Sequence, residues 1–161
     1  MSELSFRMAV PGDEQTILDI ILEPARYEHL EHEVVATTDI LHQWLFEKQK
    51  AEVLLAVVEG EVVGSALFFH NFSTFLGRAG IYLEDLFVRP QHRGKGYGKA
   101  LLKKLAAITV ERGCGRLEWA CLDWNQPSID FYTKRMKAVP MDGWTVYRLT
   151  GETLAQAANN D

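Results

Sequence analysis

Apolar and polar residues alternate along the first half of the chain with both helical and strand periods. Residues 4–10 have the character of a strand. From Glu14 onward, apolar residues recur at helical spacing, and Pro24 interrupts this pattern late. A second helical stripe covers residues 38–49. Two strand-like runs, 53–58 and 62–69, flank Glu59-Gly60 and predict a β-hairpin.

The second half of the chain continues this mixture of periods. Residues 71–78 read as a loop and 79–88 as a third strand-like run, which ends before Pro90 because proline cannot donate to a strand ladder. The later elements are a helix at 99–111, a strand at 116–122, a short helix at 127–135, a strand at 144–149 and a weakly helical tail at 151–161. This order predicts an α/β fold in which helices cover a mixed sheet.

Length and composition narrow the class of protein. The chain has 161 residues, 47% of them hydrophobic, with 17 Lys and Arg against 22 Asp and Glu, for a formal charge of −5. We expect one domain over residues 1–161, and an acidic chain disfavours a nucleic-acid binder that uses its whole surface. No signal-like or membrane-spanning apolar run is apparent, so we expect a cytoplasmic protein. We expect Cys114 and Cys121 to be packing thiols.

The most informative stretch is a glycine-rich turn between the strand at 79–88 and the helix at 99–111. Gly94, Gly96 and Gly98 let the backbone come close to a ligand, and the N–H groups at the start of a helix attract phosphate. The basic residues of the same turn are Arg89, Arg93, Lys95 and Lys99. We expect the turn to bind a pyrophosphate; a glycine-rich turn with a solvated basic face is the alternative.

Two common phosphate motifs do not match the turn. A Walker A loop would need glycine and Ser or Thr where Arg93 and Ala100 stand, and a dinucleotide fingerprint would need a small residue in place of Lys99. The pattern that fits is Arg93-x-x-Gly96-x-Gly98 after an apolar strand. It resembles the coenzyme A loop of the GCN5-related N-acetyltransferases.

Further motifs resemble the spermidine/spermine (diamine) acetyltransferase branch of that family. They are Tyr27-Glu28, Tyr82-Leu83-Glu84-Asp85, the run from Trp124 to Tyr132, and Gly143-Trp144, so that the resemblance extends from Phe6 to Leu149. It implies a mixed, mostly antiparallel sheet with acetyl-CoA in a wedge between two splayed strands. It also implies a homodimer and the transfer of acetyl to a primary amine, with no metal.

The reaction needs a base for the incoming ammonium and an acid for the departing thiolate. By the resemblance, Glu84 is the base, acting through water, and Tyr132 is the acid. In a regular strand Glu84 and Asp85 would point to opposite faces, so only one would reach a given cleft unless a bulge intervenes. An edge-strand carboxylate and a packing tyrosine are the structural alternatives. Cys121 is a conceivable acyl carrier, although a buried packing role fits a cysteine in a strand better.

The resemblance also assigns ligand contacts. The predicted cofactor-binding residues are Leu86, Phe87, Val88, Arg93, Gly94, Lys95, Gly96, Tyr97, Gly98, Lys99, Asn125 and Ser128. Asn125 and Ser128 have a second explanation, because polar residues there could cap the helix that Pro127 opens. The predicted acceptor-binding residues are Tyr27, Glu28, Glu118 and Asp142, whose carboxylates would attract a cation.

The acceptor is left open by the sequence. At Phe72-Ser73-Thr74-Phe75 the chain departs from the Tyr-Asp-Pro-Trp type segment of the polyamine enzymes, which makes thialysine-like short amines as plausible as diamines and polyamines. A protein-amine acetyltransferase and a non-catalytic acyl-CoA-binding module are the other candidates. His29 and His32 lack a third convergent ligand, so a metal site is not expected.

Overall fold

The computed structural model describes residues 3–159. The chain divides into two compact units, Met1–Ala120 and Cys121–Asp161. The first unit holds the whole sheet and the three helices that cover it, and the second unit holds two further helices. No helix within the described residues is long and apolar enough to cross a membrane.

One five-stranded sheet forms the centre of the first unit. Its strands lie in chain order, β1 to β5, and span Leu4–Met8, Glu52–Val58, Glu61–Ser73, Arg78–Val88 and Leu117–Trp119. The first four strands pair antiparallel and β5 pairs parallel to β4. The prediction of a mixed, mostly antiparallel sheet with flanking helices is therefore confirmed.

Helices cover both faces of this sheet because alternate strand residues are apolar on each side. Helix α1 (Glu14–Tyr27) and helix α2 (Thr38–His42), which continues into a wider turn at Gln43–Glu47, supply Ile17 and Leu45 to a core with Val53 and Leu55 of β2. Helix α3 (Tyr97–Glu111) buries Leu101, Leu102 and Leu105. A Cβ placed on Gly64 of β3 would lie 3.3 Å from the Leu101 side chain, so α3 packs directly on the strand.

The second unit contains helix α4 (Gln126–Asp130), a wider turn at Phe131–Arg135 and helix α5 (Gly151–Asn159). The predicted helix at 127–135 and the helical character after Gly151 are confirmed as far as Asn159, whereas residues 160–161 lie outside the described residues. The predicted strand at 144–149 is wrong. Its residues have no ladder partner in the described chain, and Trp144 and Tyr147 are 80% and 91% exposed. An apolar segment forms a strand only beside another strand.

Three smaller expectations need correction. Helix α1 continues through Pro24 to Tyr27, where the sequence predicted an interruption. Strand β3 extends to Ser73, so the loop predicted at 71–78 shrinks to a turn between β3 and β4. Strand β5 covers only three residues of the predicted 116–122.

Candidate active site

Strands β4 and β5 share only a short ladder, and the sheet opens beyond it. Ile81, Tyr82 and Leu83 pair with the three residues of β5, and the pairing stops there. From Glu84 to Val88, β4 keeps its antiparallel partner β3 on one edge, while its other edge has no strand beside it within the described residues. Backbone amides of this segment are therefore available to a ligand.

A bulge begins where the two strands separate. Leu67 of β3 pairs with Asp85, whereas the next residue, Phe68, pairs with Leu83, so that Glu84 is the extra residue. The bulge shifts the phase of the strand by one residue. Before the bulge, Glu84 lies on the same face of the strand as Tyr82. After it, Asp85 lies on the same face as Phe87. The bulge thus allows two adjacent carboxylates, those of Glu84 and Asp85, to lie on the same face of the sheet.

A cleft of about 500 Å³ lies on the α1 side of the sheet, within the first unit. Apolar side chains make up most of its wall, and the polar groups are one serine and three carboxylates. The lining residues are Ile17, Ile20, Ile21, Pro24, Ala25, Glu28, Leu30, Glu33, Val34, Val53, Ser65, Leu67, Asp85, Leu86 and Phe87. An apolar cleft with a few converging polar groups is the usual form of a small-molecule site.

Asp85 is the carboxylate that strand β4 contributes to this cleft. Burial raises the pKa of Asp85 above its ordinary value of 3.8, and no hydrogen bond or ion pair with another described residue offsets that effect. Its ladder partner Leu67 and the β2 residue Val53 that faces Leu67 line the same cleft. The sequence drew attention to this aspartate without assigning it a role, because the bulge cannot be seen in the residue pattern.

The glycine-rich turn stands at the end of β4, as the sequence predicted. Gly94 and Gly96 have φ values of 80° and 84°, in the left-handed region that glycine tolerates best, and Gly96 caps helix α3. The first N–H groups of α3 have no partner within the helix. A Cβ on Gly98 would lie 3.6 Å from Leu86 and 3.8 Å from Val88, which shows that the helix start sits directly over the end of β4.

Arg93 links the glycine-rich turn to strand β4. Its Nε donates to the carbonyl oxygen of Val88 at 2.9 Å, and its guanidinium carbon lies 5.2 Å from the centre of the Phe87 ring. One predicted ligand contact, the Val88 carbonyl, is thereby engaged by a side chain of the turn itself. Arg93 therefore holds the geometry of the turn, whether or not it also touches a ligand.

These features have known counterparts. Residues 15–137 match the model of the acetyltransferase (GNAT) family. The chain belongs to the GNAT acetyltransferase family. The resemblance inferred from the glycine loop is thus confirmed, and this acetyltransferase uses acetyl-CoA as the acetyl donor for N-acetylation of an amine.

Individual relatives align with nearly the full length of this acetyltransferase. The thialysine N-epsilon-acetyltransferase of Bos taurus is 36% identical over 170 residues, covering 98% of this chain and 99% of the relative. The spermidine/spermine N(1)-acetyltransferase-like protein 1 of Homo sapiens is 29% identical over 168 residues, covering 98% of this chain and 24% of the relative. An integron cassette protein of V. cholerae has a similar structure, with a TM-score of 0.80, 27% identity and coverage of 97% and 98% of the two chains.

The two predicted catalytic residues lie in different units. Glu84 is the exposed bulge residue of β4 in the first unit. Tyr132 lies in the turn after α4, in the second unit, where burial and the neighbouring Cys121 thiol raise the pKa of its phenol above 10.0. A phenol with a raised pKa is protonated at neutral pH, as a proton donor must be.

Local contacts favour the structural explanation for two other predicted residues. The Asn125 side chain accepts a hydrogen bond from the backbone N–H of Ser128 at 3.3 Å and so caps α4. Glu118 of β5 is held by the Asn71 amide at 3.0 Å and by Arg116 Nε at 2.9 Å. Both donors bind Oε1 of Glu118, so one of its two carboxylate oxygens is engaged by the protein.

The remaining acceptor candidates are exposed. Tyr27 ends α1 with 88% of its surface accessible, Glu28 follows it and lines the cleft, and Asp142 lies in the second unit. Sequence reasoning did not find Glu33, which lies in the same cleft. Glu33 belongs to the acidic stretch after α1, and that stretch gives no signal of which of its carboxylates faces inwards.

His29 and His32 lie on the exposed segment that follows α1. His29 takes a left-handed conformation, with φ of 59°, at the end of α1, and both histidines are exposed. No group of three or more potential metal ligands occurs among residues 3–159.

Proposed function

We propose that this acetyltransferase acts on the primary amine of a small cationic acceptor, of the diamine, polyamine or thialysine type, by direct attack on the thioester. The observation that carries the proposal is the acidic cleft beside the bulged strand, because a carboxylate-lined apolar cleft suits a cation on a methylene chain. The thialysine and spermidine/spermine names of the relatives point to the same class of acceptor.

For the donor, we propose that acetyl-CoA occupies the opening between β4 and β5. The backbone edge at Leu86, Phe87 and Val88, apart from the Val88 carbonyl that Arg93 engages, would bind the amide groups of the pantetheine arm by strand addition. The N–H groups and basic side chains between Arg93 and Lys99 would bind the pyrophosphate. Asn125 and Ser128 complete the proposed contacts, in addition to their part in capping α4.

The acceptor step requires an unprotonated amine. We propose that Glu84 takes a proton from the ammonium group through a water molecule, which frees the nitrogen lone pair to attack the thioester carbonyl carbon. The new C–N bond forms as the C–S bond breaks, and the thiolate leaves. The nitrogen, which still carries two hydrogens, loses one of them to water as the amide forms. Position at the bulge favours Glu84 for this role, since bulges often redirect side chains at active sites.

The thiolate requires a proton as it leaves. We propose that the Tyr132 hydroxyl supplies it, and the raised pKa of Tyr132 supports a protonated phenol at working pH. Tyr27, Glu28, Glu118 and Asp142 stay predicted acceptor contacts, of which Glu28 has the strongest support because it lines the cleft.

We also propose a homodimer, in which the second unit contributes to the interface. The described part of that unit exposes large apolar side chains at Val139, Met141, Trp144, Val146 and Tyr147, each at least 60% accessible. Several large apolar side chains exposed along one short segment favour an interaction surface there. Light scattering tests the dimer, which predicts twice the chain mass of 18.3 kDa. The single domain and the cytoplasmic location stay predictions from the sequence.

The proposed function is tested by release of free thiol from acetyl-CoA. The panel holds putrescine, spermidine, thialysine and a lysine-containing peptide, each with the wild type and with Glu84→Gln. We expect turnover with the small amines and a fall in kcat of about 10²-fold or more in the variant, with a change in the acidic limb of the pH–rate profile, because a general base acts only when it is unprotonated. Asp19→Asn is the control, since Asp19 lies on α1 outside the cleft lining and pairs with Gln15.

Two results would contradict the proposal. Turnover with the peptide alone would assign the enzyme to protein amines. An unchanged rate and pH profile in Glu84→Gln would remove that residue from the mechanism while leaving the class of acceptor intact.

A further inference from the structure

The charges that line the cleft are all of one sign. Of its fifteen lining residues, Glu28, Glu33 and Asp85 are acidic, and none is lysine, arginine or histidine. A small amine acceptor fits such a wall through its ammonium groups and its methylene chain. An amino acid acceptor brings a carboxylate as well, and the described lining offers no cation to pair with it.

The three carboxylates are not neutralised by the protein. Neither Glu28, Glu33 nor Asp85 forms a side-chain hydrogen bond or an ion pair with another described residue. Elsewhere in the first unit carboxylates are matched to arginine, as at Arg7 with Asp13 and Arg112 with Glu52. The cleft thus keeps its negative charge for a ligand.

Asp85 is the one of these three carboxylates that lies on a strand of the sheet. It lies on β4, one residue before the Leu86–Val88 segment proposed to hold the donor, and Leu67 and Val53 continue the same row across the sheet. Glu28 and Glu33, in contrast, lie on the segment that follows α1. An acceptor placed between them meets a carboxylate near the reacting end and two more along its length.

Resting on the proposed function, we propose that this enzyme prefers diamines without a carboxylate over amino acids of the same length, and that Asp85 is the specificity-determining residue. A ligand carboxylate in the cleft would stand near three like charges and would lose its hydration without a partner. The preference opposes the simplest expectation from the thialysine-acetylating relative. The proposed preference for diamines rests on the charges of the residues that line the cleft.

Matched pairs of acceptors test the preference. The pairs are cadaverine against lysine, putrescine against ornithine, and 2,2′-thiobis(ethylamine) against thialysine, whose members differ by one carboxylate. We expect kcat/KM to favour the diamine of each pair by about tenfold or more, because like charges in a partly desolvated site repel one another.

Variants test the role of Asp85. In Asp85→Asn we expect KM for the diamines to rise by about tenfold, with a smaller change for the amino acids, so that the preference narrows. Glu33→Gln, which removes a charge of the same cleft from outside the sheet, should narrow the preference in the same direction. Asp19→Asn, which removes the same charge outside the cleft lining, should leave the preference unchanged.

The outcomes separate this inference from the proposed function. If the amino acids are acetylated as well as the diamines or better, the inference is wrong and small-amine acetylation stands. An unchanged preference in both Asp85→Asn and Glu33→Gln, with melting temperatures near that of the wild type, would also overturn it. If neither member of any pair is acetylated, the proposed function and the inference fall together.

Discussion

Arg93 and Val88 are joined by a hydrogen bond of 2.9 Å from Nε to the carbonyl oxygen. The bond connects the glycine-rich turn to the strand that would bind the pantetheine arm, so two parts of the donor site are fixed relative to each other. The cation also lies over the Phe87 ring. A flexible lysine cannot reproduce both contacts, because it lacks the planar guanidinium.

Replacing Arg93 should therefore weaken donor binding even where a positive charge is kept. We expect both Arg93→Ala and Arg93→Lys to raise Kd for acetyl-CoA by about five- to tenfold, the cost of losing one charge-assisted hydrogen bond and the order of the turn. Calorimetric titration measures this. A lysine variant that binds like the wild type would show that only the charge matters.

The contribution of Asp85 to folding stability should change with pH in the direction opposite to that of most ion-paired carboxylates. Burial raises the pKa of Asp85, so the native state holds its proton to a higher pH than the unfolded chain does. Its favourable contribution is complete below the unfolded pKa near 3.8 and is lost as pH rises through the folded value. At pH 7 we therefore expect Asp85→Asn to melt no lower than the wild type.

Thermal unfolding of the two proteins between pH 3 and pH 7 checks the sign. The melting temperature of the wild type should rise relative to that of the variant as the pH falls. A variant that loses several degrees at pH 7 would mean that the ionised carboxylate stabilises the fold through a partner.

Glu52 and Arg112 form an ion pair with the opposite pH dependence. Two hydrogen bonds, at 2.6 and 2.8 Å, tie the end of α3 to the start of β2 and lower the pKa of Glu52. Their stabilisation is present above the unfolded pKa of 4.5 and is lost as pH falls through the lowered folded value. Because the pair is partly exposed, we expect Glu52→Gln to cost only about 0.5–1 kcal/mol at pH 7.

The measurement is the melting temperature at pH 7 and below pH 4, with Glu3→Gln as the control at an exposed carboxylate. A cost of this size corresponds to a fall of about 1 to 4 °C at pH 7 in a chain of this length. An equal cost at both pH values would refute the ionic origin.

Tyr132 should influence chemistry more than binding. If its hydroxyl protonates the departing thiolate, Tyr132→Phe should lower kcat by about 10²-fold while the Kd for acetyl-CoA stays within about twofold of the wild type. Single-turnover kinetics measure the first and calorimetry the second. Unchanged turnover would leave Tyr132 as a packing residue, and the same assays on Cys121→Ala should show wild-type behaviour.

The parts of the fold that depend on local pattern were predictable from the sequence, and the parts that depend on pairing were not. The strand at β4, the glycine turn and helix α3 follow from period and from the glycines, and residues 15–137 confirm the family. The strand expected at 144–149 failed because an apolar alternation does not say whether a neighbouring strand exists.

The same distinction applies to the candidate site. The residue pattern marked Glu84 and Asp85 as unusual but could not show that the bulge lies between Leu83 and Asp85. Glu118 stays a predicted acceptor contact, but the sequence gives no sign that Asn71 and Arg116 both bind its Oε1. The sign of the cleft charge emerges only when all lining residues are known together.

The central claim is that the turn entering α3 holds the donor against the end of β4, and Gly96→Ala tests it most directly. A Cβ on Gly96 has no atom within 4 Å, so the added methyl projects from the turn into open space. Gly113→Ala, beyond the other end of α3, is the control, because Gly113 has a similar φ of 71° and equally open surroundings and so carries the same left-handed strain. Calorimetric titration with acetyl-CoA should show similar binding to the wild type and to Gly113→Ala, and weakening by about tenfold or more in Gly96→Ala, because the methyl obstructs close approach of the pyrophosphate to the backbone. Equal affinities in Gly96→Ala and the wild type, or no binding to the wild type, would contradict the account.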